Sequence, residues 1–104
     1  MNDLINQELK NNILKITLNN PLAQNTLSLD IINNLKKIIL NADTNNEVKV
    51  VIIASTGKIF SAGHNLKEIN NHREDKDKGL NFFTNLINNC SELMLSIISN
   101  SKPV

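Results

Sequence analysis

The run Val48-Lys49-Val50-Val51-Ile52-Ile53-Ala54, closed by Ser55-Thr56-Gly57, decides how this chain folds. It is β-branched and almost continuously apolar, the pattern of a strand covered on both faces in a parallel sheet. Upstream, Ile13-Leu14-Lys15-Ile16-Thr17-Leu18 alternates, placing Leu14, Ile16 and Leu18 on one side, and Asn19-Asn20-Pro21 stops it; this reads as the first strand. Between the two, Ser28 is a good N-cap with Asp30 in the first turn, and Ile31, Ile32, Leu35, Ile38, Ile39 and Ala42 share one face. An amphipathic helix is therefore expected from Leu29 to Asn41. Strand, helix and strand make a βαβ unit and an α/β fold, in which the loop after Ala54 lies at the carboxyl edge of the sheet, where ligands bind.

That loop runs Gly57-Lys58-Ile59-Phe60-Ser61-Ala62-Gly63-His64, and Asn65 is placed to cap a short helix from Leu66 to Ile69. A polar stretch from Asn70 to Lys78 follows. Then Leu80, Phe83, Leu86, Ile87, Cys90, Leu93, Met94, Ile97 and Ile98 recur at three- and four-residue steps. They predict a helix roughly 30 Å long with its apolar stripe on the core. Ser99-Asn100-Ser101-Lys102-Pro103-Val104 ends that helix and reads as the approach to another strand. Two central strands and three helices leave sheet edges and helix faces without partners. The expectation is an incomplete segment, or one that needs a partner chain.

The 104 residues suffice for one domain, and 11 Lys and Arg against 10 Asp and Glu leave a formal charge of +1. Such a balance gives no electrostatic footprint for nucleic acid or an anionic membrane. Cys90 is the only cysteine, which excludes an intramolecular disulfide, and no Cys/His pair has zinc-ligand spacing, so no metal is expected. No apolar run approaches the eighteen or so residues that span a bilayer. The first residues carry Asp3 and Glu8 rather than a basic stretch and an apolar core, and Arg73 is the sole arginine, against a secretory or transit signal. A soluble cytoplasmic protein is expected, with no nucleic acid and no membrane among its partners.

Gly63-His64 before a capped helix start suggests backbone N–H groups presented at a positive helix end, suited to polarising a carbonyl or holding an anion. An ordinary strand-to-helix turn, in which Gly63 relieves strain, is the competing reading. Elsewhere the bland readings are preferred. Glu68, Glu74 and Glu92 read as solvated carboxylates, His72 as an exposed loop residue, Cys90 as a small core residue, and Phe82, Phe83 and Met94 as packing.

Three blocks together, Asn19-Asn20-Pro21-Leu22-Ala23-Gln24-Asn25-Thr26-Leu27, Val48 to Ala54, and Ile59-Phe60-Ser61-Ala62-Gly63-His64-Asn65-Leu66-Lys67-Glu68, resemble the enoyl-CoA hydratase/isomerase, or crotonase, family in order and spacing. The third block is most similar to the enoyl-CoA hydratase domain-containing group, and Lys102-Pro103-Val104 resembles the entry to the family's next strand. The resemblance covers nearly the whole chain but only the amino-terminal part of a family member. It implies a crotonase-like ββα spiral, with residues 1–104 as the amino-terminal part of a single domain. It also implies a coenzyme A thioester as substrate, without a separate cofactor, lying along the first loop at Ala23 and along Ala62, Gly63, His64 and Asn65. By the same resemblance the backbone at Ala62 meets the adenine, and the His64 N–H is one of two oxyanion-hole donors, its side chain needing no catalytic role.

The family's second donor and its acid/base glutamates would lie beyond Val104, and the family's usual Asp after the oxyanion residue is Asn65 here, which keeps the cap but removes a charge. The segment from Asn70 to Lys78 corresponds to a mobile cover over the acyl chain in the family, and equally reads as a plain solvated loop. Family members assemble as trimers or hexamers, so a homo-oligomer is implied for the full-length form. The expected function is that of a segment of an enoyl-CoA hydratase/isomerase of lipid metabolism; the rivals are a non-catalytic chain binding acyl-CoA or a partner, and a degraded product without a stable fold.

Overall fold

The computed structural model describes residues 4–104. Three strands, β1 (Ile5–Lys10), β2 (Ile13–Leu18) and β3 (Val50–Ser55), form one sheet in the order β1-β2-β3. The helices are α1 (Leu29–Thr44), α2 (Leu66–Asn71) and α3 (Leu80–Ile98), with short 3₁₀ turns at Pro21–Ala23 and His72–Glu74. β2 and β3 pair in parallel, Ile13 opposite Val50 and Leu18 opposite Ser55, which is the expected βαβ unit.

β1 is an addition to the sequence reading, which took Ile13–Leu18 as the first strand. It pairs antiparallel with β2, Ile5 opposite Leu18 and Lys10 opposite Ile13, across a two-residue turn. The turn residues Asn11 and Asn12 sit at φ 54° and 66°, the left-handed region that a tight hairpin demands and that Asn tolerates. β1 escapes a pattern search because, apart from Ile5, its residues are exposed, so no period-2 alternation is imposed on it.

On β2 the expected alternation holds, with Leu14, Ile16 and Leu18 buried. β3 departs from expectation. Val51 is buried, but Ile52 is 44% exposed, so only one face of the strand is covered among the described residues. The continuous apolar run arises partly because Val48, which is buried, precedes the strand rather than belonging to it.

α1 lies in the middle of the packing. Ile31, Ile32, Leu35, Ile39 and Ala42 are buried in a cluster that joins Leu14, Ile16 and Leu18 of the sheet to Leu86 and Leu93 of α3. The helix begins as predicted, with the Ser28 hydroxyl accepting from the Ile31 N–H, but runs to Thr44, one turn beyond Asn41. Its last turn is held by the segment after α3: Asn100 Nδ2 donates to the Ile39 carbonyl, and Lys102 Nζ donates to the carbonyls of Ala42 and Asn45. A cation there also complements the helix dipole. The Pro103 carbonyl then accepts from the Val51 N–H at 2.9 Å, so the chain begins to pair along the free edge of β3, as the strand-like ending suggested.

On α3 the predicted stripe divides. Leu86 and Leu93 are buried and Phe82, Cys90 and Ile97 pack beside them, whereas Leu80, Phe83, Ile87, Met94 and Ile98 are exposed. The apolar arc is wider than the surface α1 offers it. Phe83 and Met94 are therefore not packing residues here, while Cys90 is partly covered, as a small core residue should be. Between Asn70 and Lys78 the chain is ordered into the end of α2, the 3₁₀ turn and a tight return at Gly79, whose φ is +87°. Asp77 starts α3 by accepting from the N–H groups of Gly79 and Asn81.

Two carboxylates are held below their ordinary range: Asp43 by the Ser101 hydroxyl and then its N–H, and Asp77 by the N–H groups of Asn81 and then Gly79. Because folding lowers both, their contribution is present above the usual value of 3.8 and is lost as pH falls through the lowered folded values. In thermal unfolding followed from about pH 5 to pH 2, Asp43→Asn and Asp77→Asn should each fall in Tm less steeply than the parent over that acid limb.

Candidate functional site

The site forms where the chain leaves β3, in the segment from Thr56 to Asn65, against the first loop at Asn19–Leu27. The two loops run side by side and are tied by backbone bonds. Ala62 N–H donates to Gln24 O at 3.0 Å, Leu27 N–H to Gly63 O at 2.7 Å, and Asn65 N–H to Leu27 O at 3.2 Å. Leu27 and His64 thus pair as a short parallel bridge. Ala23, in its 3₁₀ turn, is exposed one residue from the Gln24–Ala62 tie, so the structure brings together all of Ala23, Ala62, Gly63, His64 and Asn65.

Asn25 makes this arrangement possible. It is 2% exposed, at φ 52°, and its carboxamide is fully engaged. Oδ1 accepts from the Asn20 N–H at 2.7 Å, while Nδ2 donates to the Thr56 carbonyl at 2.8 Å and the Ile59 carbonyl at 3.0 Å. A carboxamide is suited to this because it offers donors and acceptors on one short, uncharged side chain. Asn25 lies within the first motif block, but no role for it follows from the sequence. The available signal, a turn-forming Asn just before a capped helix, was masked by the many other asparagines.

Of the four amides in the turn, three are committed: Ala62 and Asn65 as above, and Gly63 to the Ser61 hydroxyl at 3.1 Å. The His64 N–H has no protein partner among the described residues. Its direction follows from the peptide plane. In a trans peptide the C=O and N–H point opposite ways, and the Gly63 carbonyl is turned toward Leu27, so the His64 N–H faces away from the first loop. Gly63 reaches this conformation at φ +92°, with open space where a Cβ would sit. In the His64 ring, Nε2 is buried and has no hydrogen-bond partner among the described residues.

Asn65 caps α2 as predicted, its Oδ1 accepting from the Glu68 N–H at 3.0 Å. Glu68 itself is a correction. It is half-buried, and its carboxylate accepts from the Leu29 N–H at 3.0 Å, so it satisfies an open amide at the start of α1 rather than standing in solvent. Glu74 is exposed, and Glu92 is exposed in an ion pair with Lys36 at 2.8 Å. His72 is also corrected: its ring stacks on Phe82 with centroids 3.7 Å apart, and Nδ1 lies 2.7 Å from Asp75 Oδ2.

Two cavities flank the turn region: one of about 330 Å³ between Pro21, Gln24, Gly57, Lys58 and Ile59, and one of about 400 Å³ between Ile69, Arg73, Leu80, Phe82 and Phe83. A roomier groove of about 570 Å³ lies between β1 and α1, away from the turn, and is lined by Ile5, Leu9, Lys37 and Asn41 among others. It gathers no constellation of acid, base or nucleophile. Among the described residues no group of three His, Cys, Asp or Glu side chains converges on a metal position, and no helix is long and apolar enough to cross a membrane.

A family model described as enoyl-CoA hydratase/isomerase matches residues 8–103. Among solved structures, human enoyl-CoA hydratase domain-containing protein 3 is 32% identical with a TM-score of 0.84, the match covering 97% of this chain and 38% of that one. An enoyl-CoA hydratase/isomerase family protein from Silicibacter pomeroyi is 33% identical at 0.84, covering 96% and 40%. An enoyl-CoA hydratase from Mycobacterium smegmatis is 29% identical at 0.86, covering 99% and 38%. The chain therefore spans about two-fifths of the length of these structures. No curated protein matches it significantly.

The geometry makes two mutational predictions. Asn25→Ala leaves the Thr56 and Ile59 carbonyls and the Asn20 N–H without their partner and should cost about 3 kcal/mol in denaturant unfolding. Gly63→Ala meets no atom but must hold a positive φ, so the same measurement should show a smaller loss of about 1–2 kcal/mol.

Proposed function

The chain belongs to the enoyl-CoA hydratase/isomerase family, and from that premise we propose that it binds an acyl-CoA thioester at the turn from Ala62 to Asn65. The observation that carries this reading is the His64 N–H, the one amide of that turn without a protein partner among the described residues. In this reading it donates to the thioester oxygen.

The chemistry matches the group. Hydration or isomerisation of an enoyl thioester passes through an enolate-like state in which negative charge gathers on the carbonyl oxygen, and a fixed amide aimed at that oxygen lowers the barrier by about 3 kcal/mol. An amide held by its neighbours needs no reorganisation as the charge develops, which is where such a donor gains over water. The coenzyme lies along the paired loops at Ala23 and Ala62, and the exposed Lys58 offers a cation to its phosphates. Coenzyme A enters as part of the substrate, with no separate cofactor, and the side chain of His64 has no catalytic task. Nucleic acid and membrane are not partners in this reading, and the site of action is the cytoplasm. General acid/base groups are not supplied by Glu68, which is engaged at α1, nor by Glu74 or Glu92.

A second reading, a chain that binds a protein partner without turnover, draws on the exposed Leu80, Phe83, Ile87, Met94 and Ile98 of α3.

Isothermal titration of the chain with coenzyme A and crotonyl-CoA, beside a hydration assay, tests the proposal. Binding of crotonyl-CoA without turnover is expected; absence of binding to either ligand would refute the site. His64→Pro, which removes the N–H, should weaken crotonyl-CoA about tenfold or more, whereas His64→Ala, which keeps it, should change affinity by about twofold or less. Equal losses in the two variants would show that the side chain, not the amide, makes the contact.

A further inference from the structure

We infer that Ser61 is a positioning residue that holds the His64 N–H on target through its hydroxyl; the inference rests on the reading of that N–H as the thioester donor. The Ser61 hydroxyl donates to the Asn25 carbonyl at 2.8 Å and accepts from the Gly63 N–H at 3.1 Å. A hydroxyl can do both at once because it carries one proton and free lone pairs. The consequence is geometric. Asn25 is locked by its buried carboxamide, so the Ser61 oxygen is referred to a fixed point in the first loop. That oxygen in turn fixes the peptide unit entering Gly63.

The peptide unit leaving Gly63 carries the His64 N–H, and its carbonyl is held by the Leu27 N–H at 2.7 Å. Gly63 therefore has an anchor on each side. Glycine at φ +92° is the most freely rotating residue the chain could place here, with no Cβ contact to limit it. Without the Ser61 anchor, the Leu27–Gly63 bond would be the direct restraint left on the peptide plane of the His64 amide, with the Ala62–Gln24 and Asn65–Leu27 ties on its flanks. A donor that wanders loses its advantage over water, since its benefit depends on being aimed before the charge appears.

The role is separable from simple stability because it concerns one carbonyl contact and not the coenzyme as a whole. The test compares the parent chain with Ser61→Ala and Ser61→Thr, using butyryl-CoA and free coenzyme A as ligands in calorimetry, with the amide resonances of Gly63 and His64 followed by NMR. In the parent, butyryl-CoA should move the His64 amide proton downfield and free coenzyme A should not. Ser61→Ala should expose the Gly63 amide to faster hydrogen exchange, shrink the His64 response, and weaken butyryl-CoA about fivefold while changing free coenzyme A about twofold or less. Ser61→Thr, which retains the hydroxyl, should restore the preference for the thioester.

If the parent shows the His64 response and Ser61→Ala keeps both the response and the ratio of the two affinities, the positioning role is overturned while the donor reading stands. Equal weakening of both ligands in Ser61→Ala also overturns it, as the sign of a general loss of the loop. A parent chain whose His64 amide ignores butyryl-CoA overturns the donor reading and this inference together.

Discussion

The buried carboxamide of Asn25 is the interaction on which the site depends. It joins two loops that are more than thirty residues apart in sequence by bonding Asn20 on one side and Thr56 and Ile59 on the other. Neither loop buries much apolar surface against the sheet: Pro21, Leu22, Ala23 and Gln24 are exposed, as are Gly57, Lys58, Ile59 and Phe60. Hydrogen bonds in a place sheltered from water do the work that side-chain packing does elsewhere, and they do so directionally. Once the loops are joined, the backbone bonds from Ala62, Leu27 and Asn65 follow in register.

The rest of the fold serves to keep that junction in place. α1 leaves the first loop immediately after the paired residues, so its entry angle and the turn's geometry are linked. Its start is satisfied by Ser28 and by Glu68 from α2, its end by Asn100 and Lys102 from the segment after α3, and its long face is buried between the sheet and α3. A helix tied at both termini by distant parts of the chain transmits little freedom to the loop before it. The Glu68 contact also binds the segment beyond His64 to the start of α1. The turn is thus braced on both sides, and within it the His64 amide has no partner among the described residues.

Much of this was legible from residue order. β2, α1 and α3 carry enough apolar periodicity for their type to be read directly, and Ser28 and Asn65 mark helix starts by a local bond that needs no tertiary context. β1 was missed because a hairpin strand with its side chains in solvent has no hydrophobic code, although the two-residue Asn11-Asn12 turn was a usable sign. The covering of β3 on both faces and the single stripe of α3 were over-read for one reason: apolar sequence reports what can be buried, not what is present to bury it. Ile52 and Ile98 are exposed because nothing among the described residues packs over them.

The site divides in the same way. The motif blocks were sufficient to mark the family; Ala23 came only from that resemblance, whereas the turn from Ala62 to Asn65 could be located because glycine and a capping residue between a strand and a helix are local requirements of the backbone. Sequence alone thus determined the α/β class, the helix starts, the near-balanced charge of +1 and the position of the turn. Only the tertiary structure decided that Asn25 and Ser61 are joined, that Glu68 is spent on another helix, and that the His64 amide has no partner among the described residues. Each of those depends on which polar groups from remote segments meet, and hydrogen-bond partners at long sequence separation leave no periodic trace in the chain.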